Sequence, residues 1–168
     1  MFRDLDDDGL LDLLLVCGRM YLFEQDAPGA SSFTLQRENV ISSNYVNLGG
    51  GFAVEDLDGD GILEMLVGAK GTIKLFRQTQ LHSTEFVLVA DTIAGIDVYS
   101  YASPFVADVN ADGRFDIIVG DGAGGLSLFL DAGPTAVGGR ASLPAYAELL
   151  DISPHPVSST ATLRVAMP

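Results

Sequence analysis

Apolar residues in this chain come in short runs broken by glycine, aspartate and serine, and no segment of helical length carries a convincing 3.6-residue period. The runs themselves recur. Leucine-rich or β-branched runs lie at residues 13–16, 65–67 and 117–119, each preceded by a short apolar approach at 1–2, 52–54 and 105–107. After each comes a glycine turn, and then a second run ending in Phe23, Phe76 or Phe129, whose equivalent places put all three in the expected core. Residues 72–76 and 126–129 alternate apolar and polar, as half-buried antiparallel strands do. In the first two copies a further strand candidate follows, at 33–36 and 86–89. Short strands at even spacing between turn residues predict an all-β fold.

Each unit therefore reads as strand, acidic loop, strand, glycine turn, strand, loop, strand. An antiparallel four-stranded sheet of about 40–50 residues is the size of a β-propeller blade. The expected organisation is about three blades over residues 1–130, starting near 1, 52 and 105. The first lacks most of its opening strand, and the third shows no fourth strand at the expected place after Phe129. Propellers close with about 4–8 blades, so the expectation is an incomplete propeller, part of a longer chain. An Ala/Gly/Pro-rich linker is expected over 131–147, and a separate module over 148–168.

The repeat carries a chemical motif. DLDDDGLLD begins at Asp4, DLDGDGILE at Asp56 and DVNADGRFD at Asp108, 52 residues apart each time. Oxygen side chains stand at loop positions 1, 3, 5 and 9: Asp4, Asp6, Asp8 and Asp12; Asp56, Asp58, Asp60 and Glu64; Asp108, Asn110, Asp112 and Asp116. Position 7 adds a backbone carbonyl from Leu10, Ile62 or Arg114. Bidentate binding or water would complete the six to eight oxygens that calcium prefers. Glycine at position 6 (Gly9, Gly61, Gly113) permits the positive φ of a sharp turn. An EF-hand also opens this way but needs a bidentate acid at position 12, where this chain has Leu15, Val67 and Val119 between strand-like flanks. The same apolar position argues against a dockerin-type loop. Up to three calcium ions are expected, with the third site weakened by neutral Asn110 and the second altered by the longer Glu64. Carboxylates 4 Å apart repel by up to about 4 kcal/mol per pair at an effective dielectric near 20. A bound ion converts that repulsion into attraction, which makes a structural role the natural one.

The loops account for most of the chain's charge. Of 23 acids, 11 stand at these oxygen positions; the remaining 12 face 9 bases, against a formal net charge of −14 for all 168 residues. No basic patch exists to meet phosphates, so no nucleic-acid partner is expected. No apolar stretch is long enough to span a bilayer. The single cysteine, Cys17, excludes an internal disulfide and reads as a small buried hydrophobe. His82 and His155 are far apart in sequence and read as surface residues, and Asp91, Asp97, Asp121 and Asp131 as loop residues. No nucleophile elbow or phosphate loop is present. No catalytic residue is assigned, and the chain is not read as an enzyme.

From Asp4 to Phe129 the chain resembles the FG-GAP (VCBS-like) repeats of integrin α-type β-propellers, through its three D-x-[DN]-x-D-G-x-x-[DE] loops and the trailing LLVCG, LVGAKG and IVGDGAGG. The resemblance implies a seven-bladed parent propeller with calcium in each loop, an extracellular setting, and adhesion or binding of a protein or glycan ligand. Glu64 and the short turn after Cys17 depart from the pattern. LLDISPHPVSSTATLRVAMP, residues 149–168, resembles the start of a type IX secretion sorting domain of type A, with His155 in place of the usual asparagine. That implies a truncated β-sandwich, the type IX machinery as a partner, and a secreted or cell-surface location on the bacterial outer surface. The alternative function is an accessory or scaffold region of a secreted polysaccharide-degrading enzyme. A purely structural spacer is a third.

Overall fold

The computed structural model describes residues 1–42, 50–93 and 96–131, together with the backbone of Tyr146–Asp151. Every described element is a strand. The first sheet contains β1 (Phe2–Arg3), β2 (Asp12–Val16), β3 (Met20–Gln25) and β4 (Phe33–Glu38). The second contains β5 (Phe52–Glu55), β6 (Glu64–Gly68), β7 (Ile73–Gln78) and β8 (Phe86–Ala90). The third contains β9 (Ser103–Ala107), β10 (Asp116–Gly120), β11 (Leu126–Asp131) and β12 (Tyr146–Asp151). Each is an antiparallel meander with its strands in chain order, and none closes on itself. The all-β architecture of consecutive four-stranded blades is thus as expected.

The third sheet does acquire a fourth strand. Tyr146–Asp151 pairs antiparallel with β11, with Leu128 opposite Leu150 and Phe129 opposite Leu149. At the shorter spacing of the first two blades no such strand is expected, and 148–151 falls in the expected separate module; pairing with β11 instead makes these residues part of the third blade. The segments at 132–145 and 152–168, with the remainder of the expected linker and sorting motif, lie outside the described residues.

The sheets pack face to face in series. One apolar cluster joins Leu5, Leu14, Met20, Leu22, Val40 and Ile41 of the first blade to Val54, Met65, Val67 and Phe76 of the second. Another joins Leu66, Ile73 and Leu75 of the second to Ile117, Val119 and Phe129 of the third. Because side chains alternate along a strand, the middle blade sends Met65 and Val67 one way and Leu66 the other. This explains why β6 is buried along its whole length whereas β2 is buried on one face. The phenylalanines ending the third strands face the preceding blade. Phe76 and Phe129 are therefore buried, but Phe23 has no described blade before it and remains half-buried, which corrects its expected place in the core. Cys17 is likewise exposed, as are Leu15 and Val16 before it, whereas Ala69 at the equivalent place in the second blade is buried against the third.

Close approach of the second and third blades requires glycine. A Cβ built on Gly68 would lie 1.7 Å from the carbonyl oxygen of Ala102, so no other residue fits there. The first strands of these blades, β5 and β9, run beside each other.

Candidate metal centres in the acidic loops

Each acidic loop spans the gap between the first and second strands of its blade. Asp4, Asp56 and Asp108 follow β1, β5 and β9 directly, while Asp12, Glu64 and Asp116 are the first residues of β2, β6 and β10. The last ladder pairs, Arg3 with Asp12, Glu55 with Glu64 and Ala107 with Asp116, close the loops at their base.

Inside the loops the carboxylates collect backbone N–H groups in a repeated pattern. The position 1 acid accepts from position 6: Gly9 N to Asp4 at 3.0 Å, Gly61 N to Asp56 at 2.9 Å, Gly113 N to Asp108 at 2.9 Å. The position 5 acid accepts from position 7, so Leu10, Ile62 and Arg114 are held through their N–H groups at 2.8, 2.9 and 2.9 Å. The position 9 acid is buried and accepts from position 2: Leu5 N to Asp12, Leu57 N to Glu64 and Val109 N to Asp116, at 2.9, 2.9 and 3.0 Å. The glycines at position 6 have φ between +82° and +88°, as the turn demands. Position 4 is also left-handed, at Asp7 (+60°), Gly59 (+74°) and Ala111 (+60°).

Two of the loops bring carboxylate oxygens together. One oxygen from each of Asp4, Asp6 and Asp8 lies within 4.8 Å of the others, and so does one from each of Asp56, Asp58 and Glu64. Asp56 Oδ1 is buried without a hydrogen-bond partner, and so is Glu64 Oε1. Among the described residues, the third loop shows no such convergence of three acids. There Asn110 accepts from Asp112 N at 3.0 Å and donates its amide to the Asp112 carboxylate at 3.0 Å. Arg114 Nη2 also approaches Asp112 Oδ2 at 2.5 Å.

The electrostatics differ among the copies. Burial pushes Asp12 up to about 6, against the pull of the Leu5 N–H, and nearby Asp6, Glu24 and Asp4 push the same way. Burial, then Asp8 and Asp4, also raise Asp6. Burial pushes Glu64 up to about 7, although Leu57 N–H and Arg77 oppose it. Asp58 is raised by burial and by Asp60. For Asp60, burial acts upward, but the Ile62 N–H and the Arg77 guanidinium outweigh it and hold the carboxyl below its ordinary value.

Side chains outside the nine-residue pattern complete the loops. Gln78 Oε1 accepts from Leu63 N at 2.9 Å, and its amide donates to Ser83 O at 2.5 Å and to Leu5 O in the first loop at 2.9 Å. Gln25 does the same locally, accepting from Leu11 N at 3.3 Å and donating to Ala30 O at 2.7 Å. Asp131 stands at the corresponding end of β11. It is buried rather than a loop residue, its N–H donates to Asp116 Oδ1 at 2.9 Å, and its carboxylate lies 3.5 Å from Arg114 Nε. The sequence signal for these residues is their recurrence after the third-strand phenylalanine, at 25, 78 and 131. His82 is exposed, 3.8 Å from Asp7, as expected of a surface residue.

A family model described as FG-GAP-like repeat matches the chain over residues 4–67 and again over 56–119. Each match opens on the first acid of a loop and ends in the second strand of the next blade. Neither the search of curated proteins nor that of solved structures yields a match.

Proposed function

The chain belongs to the FG-GAP-like repeat family, and from that premise we propose that it is a calcium-stabilised, non-catalytic β-propeller segment serving ligand binding or adhesion at a bacterial cell surface. The observation that carries the calcium reading is the convergence of Asp4, Asp6 and Asp8 above a buried Asp12 whose own charge is disfavoured. Such a set of hard oxygens suits calcium, and the carbonyl of Leu10 would add to it. In the second loop Asp56, Asp58, Asp60, Glu64 and the Ile62 carbonyl form the corresponding donor set, and the Arg77 guanidinium already stands against it. In the third, Asp108, Asp112, Asp116, Asn110 and the Arg114 carbonyl form a weaker set.

The ion's role here is structural. It neutralises acids that the fold has already gathered and ties the first strand of a blade to the second. With a Kd near 10⁻⁴ M and about 1 mM calcium, an occupied site adds about 1.4 kcal/mol. Calorimetric titration of the chain with calcium, paired with melting curves in calcium and in EDTA, tests this. Calcium should bind and raise the melting temperature. Heatless titration together with superimposable melts would refute it.

Adhesion is preferred to catalysis because the position 1, 5 and 9 acids are engaged by backbone N–H groups and serve the loops. A glycan array and a hydrolase panel separate this reading from the accessory region of a polysaccharide-degrading enzyme. Secretion through the type IX machinery rests on the resemblance of residues 149–168 alone. Because Leu149–Asp151 form part of β12, we place the end of the third blade at Asp151 and any sorting signal after it.

A further inference from the structure

We infer that Arg77 is a tethered cation for the second acidic loop, which therefore holds its carboxylates without a metal ion, whereas the first loop, with Glu24 in the equivalent place, depends on one. The inference deepens the calcium reading and rests on it only where ions are counted.

The geometry begins in the ladder. Asp12 pairs with Glu24 across β2 and β3, a like-charged pair. Glu64 pairs with Arg77 across β6 and β7, an opposite-charged one. From β7 the Arg77 guanidinium reaches over the loop. Its Nε lies 3.2 Å from Glu64 Oε1, an ion pair without hydrogen-bond alignment, its Nη1 3.7 Å from Asp58 Oδ2, and its Nη2 contacts Asp60 Oδ2. Three of the loop's four acidic ligand positions thus face one cation. Asp58 and Glu64 belong to the group of oxygens that could otherwise surround a metal. A divalent ion seated among them would meet the guanidinium's positive charge and would have to displace it. Arginine is always charged and presents several N–H donors in a rigid fork, which suits it to hold several carboxylates at once. Among the described residues the first loop shows no such device: Arg3, opposite Asp12 in the ladder, pairs with Glu55 at 2.9 Å instead. Glu24 adds a further negative charge beside Asp12, so neutralisation there falls to an ion.

The nine-residue pattern is the same in both loops, and the residue that distinguishes them lies beyond it. The metal requirement is therefore set blade by blade, by the side chain one residue before Gln25 or Gln78.

The test counts calcium ions by calorimetry and records melting in EDTA for the whole chain and two variants, Arg77→Met and Glu24→Arg. Arg77→Met should bind one more ion than the unmodified chain, melt lower in EDTA and recover more on adding calcium. Glu24→Arg should bind one ion fewer, melt higher in EDTA and keep only the weaker chelator sensitivity of the third loop. Arg37→Met, which removes the pair with Glu85 at 3.5 Å and a hydrogen bond to Thr84 O at 3.4 Å, both outside the acidic loops, is the control and should do neither. Unchanged ion counts in both variants beside a calcium-binding parent overturn the inference and leave the calcium reading intact. If the parent binds no calcium, the calcium reading fails by itself. The Arg77 assignment then stands if Arg77→Met melts below the Arg37→Met control in EDTA, and falls if the two coincide. Should Arg77→Met not fold, Glu24→Arg decides.

Discussion

The first and second acidic loops share their backbone scaffold and differ in what faces it. In both, position 6 donates to position 1, position 7 to position 5, and position 2 to a buried acid at position 9. Across the ladder, however, the first meets Glu24 and the second Arg77. Hydrogen bonding shapes the turn, then, while the charge across the strand decides how the gathered acids are neutralised. A motif read only along the chain sees the former and not the latter.

The sharpest break of this comparison is removal of the position 9 acid. Asp12→Ala and Glu64→Ala each leave a buried N–H, on Leu5 or Leu57, without an acceptor, a cost of about 2 kcal/mol. Glu64→Ala also takes from Arg77 its most deeply buried partner, so its loss in EDTA should be roughly 3 kcal/mol. Adding calcium should widen the Asp12→Ala deficit by about 1 kcal/mol and leave that of Glu64→Ala where it was. Urea unfolding of both variants with and without calcium measures this. Equal calcium effects on the two would dissolve the distinction between the loops.

The glutamines come next. Gln78 links Leu63, Ser83 and, across the blade boundary, Leu5, whereas Gln25 holds only its own blade. Gln78→Ala should cost about 2 kcal/mol and Gln25→Ala about 1 kcal/mol, read as shifts of the urea midpoint at constant m. A Gln25 effect as large as that of Gln78 would mean that the link between blades contributes little.

What could be read from the chain alone follows the same division. Strands β2, β6 and β10 were legible because β-branched and leucine-rich runs recur at a fixed offset from the loops, and the turn glycines because only their type suits the backbone. Phe23 was misplaced because burial on a blade's outer face depends on a neighbouring blade, which periodicity within one strand cannot report. Cys17 was misjudged because, unlike its counterpart Ala69, it follows a strand whose last two residues are exposed. β12 escaped because it stands farther from β11 than the corresponding strands do in the first two blades. Arg77 and Gln78 were passed over because their importance lies in strand register. A residue 13 positions beyond Glu64 in sequence is its direct neighbour only once β6 and β7 pair.

Acidity offers a gentler probe that acts on both loops together. Asp12 titrates at about 6 and Glu64 at about 7 in the folded chain, above their ordinary values of 3.8 and 4.5. Their contribution to stability is therefore complete below about pH 4 and is lost as pH rises through 6 and 7. In EDTA these two acids should make the chain more stable as pH falls from about 7.5 to 5, the reverse of ordinary acid denaturation. With calcium present the same protonation competes with the ion. The difference in melting temperature between calcium and EDTA samples should therefore shrink over that interval. A difference that stays constant across the range would show that the buried acids do not take part in holding the ion.

The smallest effect separates backbone from charge. Position 4 is left-handed in all three loops, but only the second has glycine there. A Cβ on Gly59 would meet nothing within 4 Å, so Gly59→Ala changes conformational preference without a clash. It should destabilise by about 1 kcal/mol, the strain an L-residue bears in this region. Ala111→Gly relieves that strain in the third loop but enlarges the freedom of the unfolded chain, leaving a net gain of about 0.5 kcal/mol. Neither substitution alters charge, so both should shift the calcium and EDTA melts by equal amounts. A calcium-dependent shift from Gly59→Ala would mean that the second loop reorganises around an ion after all, with Arg77 displaced.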